Sequence, residues 1–248
     1  MTHAGRTAVV TGASAGIGAA TAAALAEAGF SLVLGARRIE RLMAVAEPLG
    51  ANARYLDVTD PESVEQFVAT LDRVDVLINN AGGALGVDRI EEAPEERWRE
   101  MWEVNFLGVA RMTRRLLQPL RSSGDGHIIN VGSIAGFETY PGGAGYTGSK
   151  HAVRALTRTL RLELLGEPIR VTEICPGLVE TEFALVRFDQ DEERAKQVYE
   201  GMQPLTAEDI ADCIVWVATR PPHVNIDEIV VRPRDQAAAT IVHRRKGE

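Results

Sequence analysis

Tyr146 and Lys150, four residues apart in "GYTGSKHAV" (145–153), are the pair in this chain best suited to proton chemistry. On a helix, positions i and i+4 share a face. A free phenol titrates near 10. An ammonium group beside it favours the phenolate, so the expectation is a tyrosine of lowered pKa that exchanges protons near neutral pH. The alternative is a surface pair of no consequence, since this spacing is common. Ser133 in "VGSIAG" offers a hydroxyl that can orient a carbonyl oxygen; it is equally a serine in a glycine-rich turn. Asn105 in "VNFLG" lies inside a helical pattern, where asparagine is a poor choice. A buried polar residue bonded to local backbone would also account for it.

A second group suits phosphate. "TGASAGIG" (11–18) leaves an apolar run and enters an alanine-rich one, with Gly12, Gly16 and Gly18 in the pattern G-x-x-x-G-x-G. Glycines admit backbone close to a pyrophosphate, and a helix N-terminus presents free N–H groups and a positive dipole end. An ordinary tight turn is the alternative. "GARR" (35–38) puts Ala36, Arg37 and Arg38 where an NAD enzyme usually carries an acidic residue for the ribose 2′-hydroxyl. Guanidinium groups grip a 2′-phosphate, and Ser14 can add a hydroxyl. Two arginines opening a helix are otherwise mildly unfavourable, so the expected cofactor is NADP. Asp57 in "LDVTD" can accept from an adenine amino group, or simply make a turn; Asp60 before Pro61 suits a helix cap better. In "NNAG" (79–82), Asn79 and Asn80 can bridge strands, while Ala81 leaves room for a ribose. Ile17, Val58, Asn80, Ala81, Pro176, Gly177, Val179 and Thr181 complete the expected cofactor set.

These residues need elements to position them. Strands are expected at 7–12, 31–36, 53–58, 74–80, 126–133, 169–175 and 226–233, from short β-branched and leucine runs. Helices fit between them at 16–29, 38–50, 61–71, 95–118, 146–165 and 206–219. Continuous apolar strands alternating with helices predict a single α/β domain over 1–248: a doubly wound (Rossmann) parallel sheet of about seven strands, covered on both faces. The charged, weakly patterned stretch 178–204 breaks the alternation and reads as a lid or a disordered loop.

Composition narrows the partners. The chain has 248 residues, 45% hydrophobic, with 27 basic against 35 acidic residues and a net charge of −8. An acidic balance argues against nucleic acid. No uncharged apolar run approaches the length of a membrane span, and no signal peptide is expected ahead of the first strand. Cys175 and Cys213 form no metal or disulfide motif and read as small buried hydrophobes; the five histidines lack ligand spacing, so no metal is expected. The expected setting is a soluble, reducing, cytoplasmic one.

Together, Gly12/Gly16/Gly18, "NNAG", Asn105, Ser133, "YTGSK" and Pro176-Gly177 resemble the short-chain dehydrogenase/reductase family, over essentially the whole chain. "PGLVETEF", "VRF", "LTAEDIADCIVWVAT" and "HVNIDEIVVRP", with "VHR" near the end, resemble its NADP-dependent 3-hydroxy acid or serine dehydrogenase branch. The resemblance implies that Tyr146 is the acid/base and that Lys150 also binds the nicotinamide ribose. It implies that Ser133 orients substrate, and that Asn105 bends its helix and anchors a water beside the lysine. It further implies a homotetramer and a small acidic substrate, for whose carboxylate Arg187 is the candidate; a solvated arginine is the alternative there. His243 and Arg244 lie in a tail that can reach a neighbouring subunit. A ketoreductase of bulkier or thioester-linked carbonyls is the competing activity. A nucleotide-binding sensor is the non-enzymatic one.

Overall fold

The computed structural model describes residues 3–245. Seven strands form one sheet: β1 Thr7–Thr11, β2 Ser31–Ala36, β3 Asn52–Tyr55, β4 Val76–Asn79, β5 Gly126–Val131, β6 Ile169–Pro176 and β7 Glu228–Val231. Their order is β3-β2-β1-β4-β5-β6-β7, and each neighbouring pair is parallel. Successive side chains on a strand point to opposite faces, and the apolar runs exploit this. Ala8, Val10, Ile78 and Ile129 bury against α1 (Gly16–Glu27), α2 (Ile39–Ala46) and α9 (Ala207–Ala218) on one face. Val9, Leu77 and Ile128 bury against α3 (Pro61–Val68), α5 (Gly108–Ser123) and α6 (Ala144–Glu163) on the other. Both faces being covered explains why β4, β5 and β6 are buried at every position.

The chain runs outward from β1 to β3, then returns to place β4 on the other side of β1. At such a switch point the loops above the two strands diverge and leave a crevice at the carboxyl edge of the sheet. The site described below lies there.

Three expectations need correction. The 95–118 helix is interrupted: α4 (Glu95–Trp102) and α5 are joined by a wider π-turn, Glu103–Leu107. The 178–204 stretch is not a loop throughout. It holds two short helices, α7 (Phe183–Arg187) and α8 (Glu192–Gln197), too brief for a periodic pattern to show. Cys175 is buried, but Cys213 is only partly so. Beyond β7 the chain adds a small antiparallel pair, β8 (Gln236–Ala238) and β9 (Ile241–Val242). No helix among the described residues is long and apolar enough to cross a membrane.

Candidate active site

A cleft of about 650 Å³ opens at the carboxyl edge of the sheet. Its floor is the turn from β1 into α1. Gly12 and Gly16 have φ of +67° and +52° there, a backbone region that favours glycine. A Cβ on Gly12 would come within 2.8 Å of the Ala81 Cα, and one on Gly18 would strike the Gly12 carbonyl oxygen. Asn80 locks the turn by donating to the carbonyls of Thr11 (3.0 Å) and Gly12 (3.2 Å). α1 begins at Gly16 with no side-chain cap and no acidic residue in its first turn. Its N–H groups and dipole therefore face the cleft without competition. The Thr181 side chain stands over Gly16 from the opposite wall, 3.3 Å from where a Cβ would lie. This is a bare-backbone cradle between two walls, and it fits the pyrophosphate of a dinucleotide.

At one end of the cradle are the arginines. Arg37 and Arg38 are exposed at the end of β2, and Arg38 Nε reaches Ser14 Oγ at 3.3 Å. Arg38 is not free, however. Its Nη1 contacts a Glu182 carboxylate oxygen at 2.7 Å, and Arg41 holds the other oxygen, also at 2.7 Å. Sequence reasoning missed both Arg41 and Glu182. Asp57 and Val58 line the cleft nearby. One Asp57 oxygen accepts from the Thr59 N–H and hydroxyl, the turn that was its alternative reading. Asp60 caps α3 by accepting from the Glu62 N–H. Asn79 donates to Asn130 of β5 at 2.9 Å and to Thr113, bridging strands.

At the other end, Ser133, Tyr146 and Lys150 converge. α6 starts at Ala144, and Lys150 Nζ lies 5.9 Å from the Tyr146 ring centroid. The ammonium donates to the Val131 carbonyl at 2.9 Å, at the end of β5. Ser133 follows on that strand, and its Oγ accepts from the Ala135 N–H. Gly145, just before the tyrosine, has no side chain because Trp98 and Met101 of α4 occupy that space. Trp98 therefore belongs to the α4–α6 packing, whereas Trp102 is 43% exposed.

The electrostatics correct one expectation. Tyr146 does not have a lowered pKa. Burial and the neighbouring Tyr140 push its phenol above the ordinary value, and the Ser133 hydroxyl and Arg187 cation only partly oppose this. The Lys150 ammonium, 5.9 Å from the ring, gives its hydrogen bond to a carbonyl. Burial also pulls Lys150 down to about 8, opposed by the carboxyl group of Glu173. Glu173 is itself buried on β6, and a Cβ on Gly132 would run into its carboxyl group.

Asn105 sits in the π-turn and is buried below the cleft rather than lining it. Its side chain accepts from the Gly83 N–H at 2.9 Å, and donates to the Gly83 carbonyl at 2.9 Å and to Ser149 Oγ at 3.0 Å. It thereby ties the loop after β4 to α6. Gly18 also acts from beneath. The other expected residues, from Gly12 to Arg187, all line the cleft.

Arg187, at the end of α7, comes down beside the tyrosine. Its guanidinium lies 5.9 Å from the Tyr146 ring and 5.3 Å from that of Tyr140. It donates to the Gly86 carbonyl (3.2 Å) and the Tyr140 hydroxyl (3.1 Å). Phe183 meets Tyr146 edge-on at 5.5 Å. Tyr140 and Phe183 were not foreseen; their only signal was aromatic character next to glycines or in the charged stretch. As far as Arg245, the tail lies back against its own chain. Arg244 donates to the carbonyls of Val198 and Glu200, and the Arg245 N–H donates to that of Gly201. The last three residues of the "RKGE" ending lie outside the described residues.

A glycine-rich turn at a sheet switch point, facing a serine, tyrosine and lysine across one cleft, is an arrangement that known proteins share. Residues 6–192 match the short chain dehydrogenase family, and the chain belongs to it. The uncharacterized oxidoreductase Rv0484c of Mycobacterium tuberculosis is 59% identical over 235 residues, covering 95% of this chain and 94% of that one. The NADP-dependent 3-hydroxy acid dehydrogenase YdfG of Salmonella typhi is 43% identical over 244 residues, with 95% and 98% covered. Among solved structures, the closed form of serine dehydrogenase complexed with NADP+ superposes with a TM-score of 0.91 at 38% identity, over 97% of this chain and 100% of that one.

Proposed function

We propose that this chain is an NADP-dependent oxidoreductase that moves a hydride between the nicotinamide and the carbinol carbon of a small hydroxy acid, or its carbonyl counterpart. The observation that carries the acid preference is the Arg187 guanidinium stacked beside the Tyr146 ring. A carboxylate on the cation would bring the adjoining hydroxyl or carbonyl to the phenol. The NADP-dependent dehydrogenase similar to this chain supports the same reading. For the cofactor, Gly12, Gly16, Gly18 and Asn80 would hold the pyrophosphate region, with Arg37, Arg38 and Ser14 at the 2′-phosphate. Pro176, Gly177 and Thr181 would hold the nicotinamide side. When bound, that cofactor would supply the hydride donor or acceptor and, in its oxidised form, a positive charge in the cleft.

Tyr146 passes a proton between its phenolic oxygen and the substrate oxygen. Burial keeps the phenol protonated, the form that donates when a carbonyl is reduced. Oxidation needs the phenolate, and the Arg187 cation lowers its cost. Ser133 hydrogen-bonds the substrate oxygen and fixes its orientation. Lys150 binds the nicotinamide ribose, held in place by Val131. Asn105 supports the lysine from below. Residues 178–204 act as a lid within one domain, hinged at Pro176-Gly177, whose closure expels water and strengthens an arginine–carboxylate pair.

The reading includes a homotetramer, for which exposed Trp102 and Leu162 on α4 and α6 offer apolar surface, and a cytoplasmic setting, in keeping with two unpaired cysteines. The test is a panel of small hydroxy acids, semialdehydes and larger ketones assayed with NADP(H) and NAD(H). Preference for acids with NADP supports the proposal. Preference for bulky ketones would shift it to a ketoreductase, and no turnover at all would leave a nucleotide sensor.

A further inference from the structure

Glu182 sits where a carboxylate works against the expected chemistry. The arginine-rich end of the cleft is the part suited to a phosphate dianion, yet one anionic side chain already engages Arg38 there and Arg41 beside it. Arg38 Nη1 and Arg41 Nη2 each approach a Glu182 oxygen at 2.7 Å, and Arg41 Nη1 adds a third contact at 3.1 Å. Arg38 and Arg41 stand three apart at the start of α2, so both heads project to the same side. Glu182 comes from 144 and 141 positions further along the chain, immediately before α7. Ser14 Oγ meets Arg38 from the glycine turn. Four groups from three segments therefore meet at one point, and one of them has the sign of the ligand.

Resting on the NADP reading above, we propose that Arg41 joins Arg37, Arg38 and Ser14 as a fourth ligand of the 2′-phosphate, and that Glu182 competes with that phosphate for Arg38 and Arg41. Glu182 is thereby a specificity-determining residue: it weakens NADP binding selectively and leaves nucleotides without a 2′-phosphate unaffected. A guanidinium has five N–H donors, but its charge is shared, and two anions on the same pair repel. The three side chains are 36% to 53% exposed. Screening by water thus keeps the effect modest, of the size seen for surface pairs.

The test is calorimetric titration with 2′,5′-ADP and 5′-AMP, which differ only in the 2′-phosphate and require no turnover. Wild type should bind 2′,5′-ADP the more tightly. Glu182→Gln keeps the side chain's shape and removes its charge. It should tighten 2′,5′-ADP by about two- to tenfold and leave 5′-AMP within twofold. Arg41→Met should weaken 2′,5′-ADP alone, by about three- to tenfold. Unchanged or weaker 2′,5′-ADP binding in Glu182→Gln would overturn the competition, since the carboxylate would then be idle or propping the arginines for the phosphate. Unchanged or tighter binding in Arg41→Met would remove Arg41 from the phosphate site. Equal affinity of wild type for both probes would overturn the NADP reading itself, and this proposal with it.

Discussion

Replacing Arg187 with methionine separates reading of an acid group from shaping of the cleft. Methionine keeps much of the stem's bulk and deletes the charge. The structure gives the cost in two parts. The first falls on every substrate. Arg187 donates to Gly86 and Tyr140 and stacks on Tyr140, contacts that seat α7 over the cleft. These bonds have a charged donor but are only part-buried, and water can take the donor's place at both acceptors, so most of their contribution is recovered. A neutral alcohol should therefore lose about two- to tenfold in kcat/KM. The second part falls only on an acid. A hydrogen bond to a charged group is worth about 1.5–3 kcal/mol, so a small hydroxy acid should lose a further ten- to 150-fold. That pair exists before and during the reaction, so the extra loss should appear mainly in KM. Arg187→Lys keeps the charge but not the fork and should fall between the two. The assay is reduced-nicotinamide absorbance with a hydroxy acid and an uncharged alcohol of equal size. If both lose alike, Arg187 shapes the lid and reads no carboxylate.

Tyr146→Phe should fold and bind nucleotide normally, yet turn over at least about a hundredfold more slowly; activity within a few-fold of wild type would assign the proton to another group. Lys150 titrates at about 8 against an ordinary 10.5. Between those values the unfolded chain binds more protons, so this group's contribution to folding stability rises with pH across that window, while activity that needs the ammonium falls above about pH 8. Glu173→Gln removes the carboxylate that most favours this ammonium and should move the alkaline limb of the kcat/KM profile to lower pH; an unmoved limb would break the link. Asp60→Ala removes the cap of α3 and should cost about 1 kcal/mol in urea denaturation without altering nucleotide affinity.

The sheet could be read from the sequence because its strands are covered on both faces, which forces the middles of runs such as "TAVVT" and "SLVLGA" to be continuously apolar. The glycine turn and the Tyr146–Lys150 pair were legible because each depends on local spacing. What stayed hidden is long-range. The Tyr146 phenol is pushed up by packing, including Tyr140 and Phe183 brought in by other segments, and this outweighs the neighbour four residues away. Arg38 reads as a free phosphate ligand until the fold brings Glu182 to it. Helices of five and six residues, such as α7 and α8, take their stability from the surfaces they lie on rather than from periodicity. The tail's return to Val198 and Glu200 uses backbone carbonyls, which no side-chain pattern records.

The π-turn at Glu103–Leu107 means that the helix from α4 into α5 carries one residue more than regular winding requires. Its length is therefore under two opposing demands. Deleting a single residue from that turn would let the backbone close into ordinary α-helix. Because the wide turn spreads its extra residue over a single turn, α4 and α5 would keep nearly their present faces, and only the residues of the turn itself would be re-aimed. Trp98 and Met101 would stay against the bare flank of Gly145, while the Asn105 amide would leave Gly83 and Ser149. The shorter chain would have a better helix and a loop after β4 no longer tied to α6, so selection on stability and selection on catalysis would judge that deletion with opposite signs.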